Sequence, residues 1–333
     1  MAVEQIQLPD GSQAWHVTGY ENVRAGLADP RLSLSKNNST GGYTGFSLPP
    51  ALDANLLNLD PPDHTRLRRL VAGAFTAKRV AGMRDKVQAT ANRLLDGLPN
   101  EVDLMATYAA PLPVITIGDL LGVPADRLAD FRGWTNTLIT QGSGMRDAVQ
   151  SMCRFIVGLI AQKRAWPEDD LISAMIAARD GADQLSEDEL LSLTFLILWA
   201  GYENSVHLIG NSVHHILTHG TSHDVDELLR VANPNLHAIR RFAVEDFEIG
   251  HVKIHKGQTV LLDIQAANEQ SRQHLSFGVG IHHCLGAPLA RLELEVAVDT
   301  LFARFPDVRM GTPRWRESFR SRGLAELPVR LVP

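Results

Sequence analysis

The sequence predicts a mainly α-helical protein with a minor β region. Two observations predict it. Apolar residues recur at helical spacing through most of Pro61 to His219, with short connections that often hold Gly or Pro. Strand-like segments are confined to the N-terminal residues, to 243–263 and to the C-terminal end.

Val3–Leu8 and Ala14–Thr18 flank the turn Pro9-Asp10-Gly11 and read as a hairpin. A short helix follows at Glu21–Ala28, stopped by Asp29-Pro30. Residues 32–58 are rich in Ser, Asn, Gly and Pro and read as a long surface loop, a kind that is usually functional. The helical run opens with a basic turn, His64, Arg66, Arg68 and Arg69. Helical periodicity continues over Val87–Leu98, Pro113–Leu121, Ala125–Ile139, Met145–Lys163 and Asp169–Ala178.

The longest helix is predicted from Ser186 to His219. Ser186-Glu187-Asp188-Glu189 is a capping box, Leu185 and Leu190 sit as a hydrophobic staple, and Gly220 is the stop. Such a helix is about 50 Å long. Its apolar residues occupy more than one face before Gly201, which places it at the centre of the protein. Asp224–Arg230 is a short helix. Ala243–Ile249, His251–Ile254 and Thr259–Asp263 are strands turned at Gly250 and Lys256-Gly257. Phe277–Gly286 is a Gly-rich loop and Pro288–Phe305 an amphipathic helix.

Composition narrows the function. Lys and Arg total 32 against 38 Asp and Glu, a net charge of -6, which excludes nucleic-acid binding through general basicity. Two cysteines, Cys153 and Cys284, exclude a disulfide scaffold and fit a reducing cytoplasm. The N-terminus has no basic region followed by an apolar stretch, so no signal peptide is expected. The greasiest run, Leu190–Gly201, is too short for a membrane span of roughly 18–20 residues.

The chemistry is concentrated in Phe277-Gly278-Val279-Gly280-Ile281-His282-His283-Cys284-Leu285-Gly286-Ala287-Pro288. Gly278-Val279-Gly280 opens a phosphate-loop fingerprint, but His283 stands where the third Gly belongs. His282, His283 and Cys284 are zinc-ligating types. Adjacent ligands on one loop do not easily make a tetrahedral cage, and no C-x-x-C partner exists. A third reading is a haem-thiolate site. Cys284 lies between glycines and before a helix, where backbone N–H groups and the helix N-terminus favour a thiolate.

The pattern F-x-x-G-x-x-x-C-x-G before a helix resembles the cysteine-ligand loop of the cytochrome P450 family. The resemblance covers nearly the whole chain and implies a single cytochrome P450 domain over 1–333, with haem b as cofactor. It implies Cys284 as the iron ligand, with Phe277, Gly278 and Gly286 in the cofactor-binding loop. Gly280 and Gly286 are expected to admit the porphyrin. Leu59-Asp60-Pro61-Pro62-Asp63-His64-Thr65-Arg66-Leu67-Arg68 is similar to the family's basic helix, so His64, Arg68, Arg241 and His282 are expected on the haem propionates. Glu227-Leu228-Leu229-Arg230 matches the E-x-x-R helix, a structural ion pair, and Arg272 is expected to join it.

Ala200-Gly201-Tyr202-Glu203-Asn204-Ser205 resembles the family's A-G-x-[DE]-T-T oxygen-side motif. Ala200 and Gly201 leave room for dioxygen, Glu203 keeps the acid, and Asn204 replaces the usual Thr. The resemblance implies C–H hydroxylation or epoxidation of a small secondary metabolite. Asn204 keeps a second reading open, oxidative aromatic cross-linking of a peptide, and a third is a non-catalytic haem-binding homologue. The implied electron source is a ferredoxin with its reductase, or a flavin-containing partner, docking near Arg66 and Arg69. A cytoplasmic monomer without nucleic-acid or membrane partners is expected. Residues 35–58 and 134–150 are expected to roof the substrate pocket, with Trp134, Asn136, Leu138 and Ile139 as lining. Relative to the family the chain is short at 220–224 and 270–273.

Overall fold

A computed structural model describes residues 2–332 apart from 41, 44, 46–48, 54, 141–143 and 180–183. Its axis is the helix Glu187–His219, 33 residues long. The capping box forms as the sequence predicts. The Ser186 hydroxyl accepts from the Glu189 N–H at 3.2 Å, and the Glu189 carboxylate accepts from the Ser186 N–H at 2.8 Å. Gly220 ends the helix in the left-handed conformation at φ 63°.

Leu190, Leu193, Phe195 and Leu198 are fully buried, which agrees with the apolar faces read from the sequence. Around them pack Pro111–Leu121, Met145–Ala165 and Ala287–Arg304. This helical core is one hydrophobic cluster.

A second cluster holds the β region. The hairpin Val3–Gln7 and Gln13–Val17 forms as expected. It extends into a five-stranded sheet. Thr259–Leu262 runs parallel to Gln13–Val17, Arg241–Ala243 follows antiparallel, and Leu32–Ser33 forms the edge. The sheet therefore fixes Arg241 opposite Val260, with Ala243 opposite Leu32.

The structure corrects several expectations. Residues 32–58 are not only a surface loop. Leu34, Leu52 and Leu56 are buried, and the Leu52 carbonyl accepts from Ser192 of the long helix at 3.1 Å. Polar composition hid these leucines because they are isolated among Ser, Asn and Gly. The strand expected at Ala243–Ile249 is two strands, Arg241–Ala243 and Phe247–Ile249. Asp246 splits them, because its carboxylate accepts the Lys256 N–H at 2.9 Å and pulls the chain out of the sheet. The helix Ile264–Glu269 was not legible, since six residues are too few to show a period. Residues 220–224 and 270–279 hold no helix or strand, so the short junctions are simple connections.

Ser186→Ala removes the acceptor for the Glu189 N–H. It should lower stability by about 1 kcal/mol. Chemical denaturation followed by circular dichroism measures this, and an unchanged midpoint would show that the cap contributes nothing.

Candidate functional site

Cys284 sits at the end of the loop 277–286. The loop closes on itself, since the Cys284 N–H donates to the Phe277 carbonyl at 2.9 Å. Gly278 and Gly280 have φ of 69° and 77°, the left-handed region that other residues avoid. A Cβ on Gly280 would come 3.1 Å from Ala28 Cα. The backbone turn and the nearby N-terminal helix thus require Gly280. Gly286 has an ordinary φ of -78°, and a Cβ there would lie 3.8 Å from Cys284 Sγ. Phe277 packs its ring onto the cluster of Leu208, Leu228, Leu294 and Val298.

The Cys284 side chain keeps accessible surface on one side. Protein surrounds it otherwise, and this burial pushes its thiol pKa above the ordinary value. The N–H groups of Gly286 and Ala287 and the Arg68 guanidinium pull the other way. A coordinating metal deprotonates a thiol outright, so these groups then meet a thiolate.

The expected anion-holding residues do come together from three distant segments. His64 lies on the helix Asp63–Ala74 and is 1% exposed. Its ring is 4.2 Å from that of His282 on the loop before Cys284. Both His64 nitrogens are buried without a hydrogen-bond partner. Burial and the nearby Arg68 charge hold the His64 pKa below normal. For His282, burial together with His64 and Arg241 lowers it to about 4. Arg241 is 5% exposed, and burial drops it to about 10 despite Asp60 and Asp29 nearby. Its Nη1 donates to the Leu32 carbonyl at 3.3 Å, while its Nε has no partner. Arg68 reaches across to the Cys loop and donates to the His283 carbonyl at 2.5 Å. Buried donors without acceptors cost free energy. A ligand with two carboxylates matches this donor set, so the residues fit a haem.

The oxygen-side motif is dispersed by the helical period. Ala200 is exposed in the middle of an otherwise buried helix. Asn204, one turn on, donates its amide N–H to the Ala200 carbonyl at 3.2 Å. Gly201 lies on another face, where a Cβ would meet Ile117 Cδ1 at 3.0 Å. On that side the Ser205 hydroxyl donates to Glu293 at 2.8 Å. Glu203 lies on a third face, 3.9 Å from His207, in a cavity of about 160 Å³ lined also by Arg132 and Arg316. Burial raises the Glu203 pKa, opposed by Arg320 and Arg316.

Glu227 and Arg230 form their ion pair at 2.6 Å, half-buried. Arg230 also donates to the Asn268 carbonyl, and Ser276 donates to the Leu229 carbonyl, which anchors the segment before the Cys loop. Arg272 is exposed and is not among the partners of this pair. Arg66 is engaged with the Gln184 carbonyl and with Glu189, which reduces the free charge of that face. Trp134 packs on Phe155 at 5.7 Å between ring centres. The side chains of Asn136, Leu138 and Ile139 lie outside the described residues.

Comparison with known proteins bears directly on this arrangement. A family model for cytochrome P450 matches residues 262–318, the stretch holding the Cys loop and the helix after it. The mycinamicin IV hydroxylase/epoxidase of Micromonospora griseorubida is 37% identical, over 98% of this chain and 92% of that protein. The chain is a cytochrome P450. The 6-deoxyerythronolide B hydroxylase of Saccharopolyspora erythraea is 38% identical over 96% of this chain and 91% of its own length. The solved structure of the ligand-free P450 monooxygenase TamI superposes with a TM-score of 0.89 at 37% identity, covering 99% of this chain and 88% of that one. The family uses a haem iron, so this P450 is an oxidoreductase of the monooxygenase class. Among the described residues, no helix is long and apolar enough to cross a membrane.

One functional neighbour was not picked out from the sequence. Glu293 is 2% exposed within the P450 core, and burial raises its pKa to about 8. The signal was available, because Glu293 falls on the apolar face of its helix with Leu289, Val296 and Ala297. A neutral Glu293 accepts from Ser205 and has its own proton available for the Thr116 hydroxyl, whose hydrogen goes to the Leu112 carbonyl.

This raised pKa means the folded state holds a proton that the unfolded chain releases above pH 4.5. Stability should therefore fall as pH rises from 4.5 to about 8. Glu293→Gln keeps the hydrogen bonds and removes the proton. The variant should lose up to about 1.4 kcal/mol per pH unit of this slope. Unfolding measured against pH tests this; parallel profiles for the two proteins would place an ionised Glu293 in the core.

Proposed function

We propose that this P450 binds haem b through the Cys284 thiolate and inserts an oxygen atom into a small secondary metabolite. The observation that carries the reading is the convergence of buried, unpartnered donors on His64 and Arg241 beside His282, near an accessible Cys284. Bound haem supplies reductive activation of dioxygen. Everything else falls to the chain.

Cys284 is the iron ligand, with Gly286 and Ala287 N–H groups and Arg68 steadying its negative charge. Arg68 and Arg241 would neutralise the two propionates, and His64 and His282 would donate ring N–H groups to them, in a region where burial already excludes water. Phe277 and Gly278 shape the loop, and Gly286 keeps the thiol side uncrowded. The Ala200 and Asn204 face lines the oxygen side. Asn204 uses one amide N–H on the Ala200 carbonyl, which leaves its second N–H to donate and its carbonyl oxygen to accept. Glu203 is the buried acid closest to that face in sequence and holds a proton more readily than a free carboxyl.

The relatives named as hydroxylases, one acting also as an epoxidase, support oxygen insertion. Electrons come from a ferredoxin and its reductase, or a flavin-containing equivalent, since oxygen activation needs them. The protein is proposed to work as a cytoplasmic monomer.

Reduced, carbon monoxide-bound protein should show the red-shifted Soret band of a thiolate ligand, and Cys284→Ser should abolish it. A histidine-type band in the parent protein would reject Cys284 as ligand. Arg241→Met should weaken haem retention by roughly 10–100-fold, the loss of hydrogen bonds to a charged group, as read by haem transfer to an acceptor protein. Asn204→Thr should change the ratio of oxygenated product to leaked peroxide. If both stay unchanged, the Asn204 assignment is wrong; if the parent instead yields cross-linked aromatic product, the coupling reading replaces oxygen insertion.

A further inference from the structure

We propose that His16, His237 and Asp263 form a binding site for a divalent transition-metal cation, with zinc the best match, on the β-sheet side of the molecule. His16 Nε2 lies 2.9 Å and His237 Nδ1 3.9 Å from the same Asp263 oxygen, Oδ2. The three ligand atoms fall within 4.8 Å of one another. Tetrahedral zinc with bonds of about 2.0–2.2 Å separates its ligand atoms by roughly 3.3–3.6 Å. The trio thus needs shifts of only about 1 Å or less to close on a cation.

The chemistry of the set is right for zinc, two imidazoles and a carboxylate with a position left for water. His237 Nδ1 is buried and has no hydrogen-bond partner, although Asp263 lies beside it. The two imidazole rings meet edge-on at 5.5 Å between centres. The side chains of the trio are 13–16% exposed, which leaves an entry path.

The surroundings also fit. Asp263 Oδ1 accepts the Ala266 N–H at 2.8 Å, which fixes the carboxylate, while Oδ2 shares a hydrogen bond with His16 Nε2 at 2.9 Å whose proton a cation would displace. His16 Nδ1 faces Glu4 Oε1 at 3.8 Å, the outer carboxylate that metal-bound imidazoles commonly have. All three ligands hang on paired backbone. His16 lies on a strand with Leu261 opposite, and His237 bridges Asp263 directly. The rigidity of the ladder holds the set in place. A cation there would tie the N-terminal hairpin to the segment that delivers Arg241, four residues after His237.

The test uses haem-loaded protein stripped of adventitious metal and titrated with zinc against a chromogenic chelator. One zinc per chain is expected, with a rise in unfolding temperature. His237→Ala should weaken binding by more than about 100-fold, beyond the loss typical of an outer-sphere change, and Glu4→Gln by about 10-fold. Asp263→Asn keeps an acceptor for Ala266 while removing the charge, and should also lose binding if His237→Ala proves unstable. His215→Ala disrupts a histidine pair outside both the trio and the Cys-loop site, stacked with His219 at 4.3 Å, and should change nothing. The proposal is overturned if the parent binds no zinc, if His237→Ala and Asp263→Asn bind it as the parent does, or if only His215→Ala loses it.

Discussion

Buried nitrogen groups short of hydrogen-bond partners are the constraint on which this structure depends. Arg241, His64 and His282 are withdrawn from water, and burial lowers the pKa of each. Such groups are costly unless they are paired. Asp60 supplies part of the compensation, held in place by the Ser33 hydroxyl and the Leu34 N–H. It does not use the orphaned His64 nitrogens or Arg241 Nε. The proposed haem, whose porphyrin carries two carboxylates, would meet the remaining demand. Fold and cofactor are linked through this desolvation.

Much of the β region works toward that constraint. Arg241 is placed by a five-stranded sheet whose members come from both ends of the chain. His64 is placed by the first turn of a helix, and His282 by a loop that glycines bend at two positions. The ion pair Glu227–Arg230 and the Ser276 hydroxyl then fasten the approach to that loop. Misplacing any one of these elements separates donors that act only together.

The long helix solves a different problem. It crosses the core and must present several chemistries within six residues, 200–205. Its 3.6-residue period sends Ala200 and Asn204 to one face, Gly201 and Ser205 to a second, and Glu203 with His207 to a third. The consequence for chemistry is a division of labour. Ser205 is held by the buried Glu293 on another face, so the polar group beside Ala200 is Asn204.

The longer helices, the caps of the longest one, the N-terminal hairpin and the Cys loop were legible in the sequence, because each depends on local chemistry. Capping boxes, glycine stops and alternation act over a few residues. The Cys284 loop was legible for the same reason, as its residues are contiguous. Long-range order was not legible. The burial of Leu34 and Leu52, the split at Asp246 and the neutral Glu293 all depend on partners ten or more residues away or on packing against other elements. Arg272 shows the limit most plainly. Position in the chain made it a partner of Glu227 and Arg230, but it is exposed and Asn268 bonds Arg230 instead. Sequence by itself determined the helical character, the long central helix and the glycine-bent Cys284 loop. Only tertiary structure decided which donors lose their water together and which polar side chain of the long helix meets the buried Glu293, because desolvation and contact are properties of elements brought together across the whole chain.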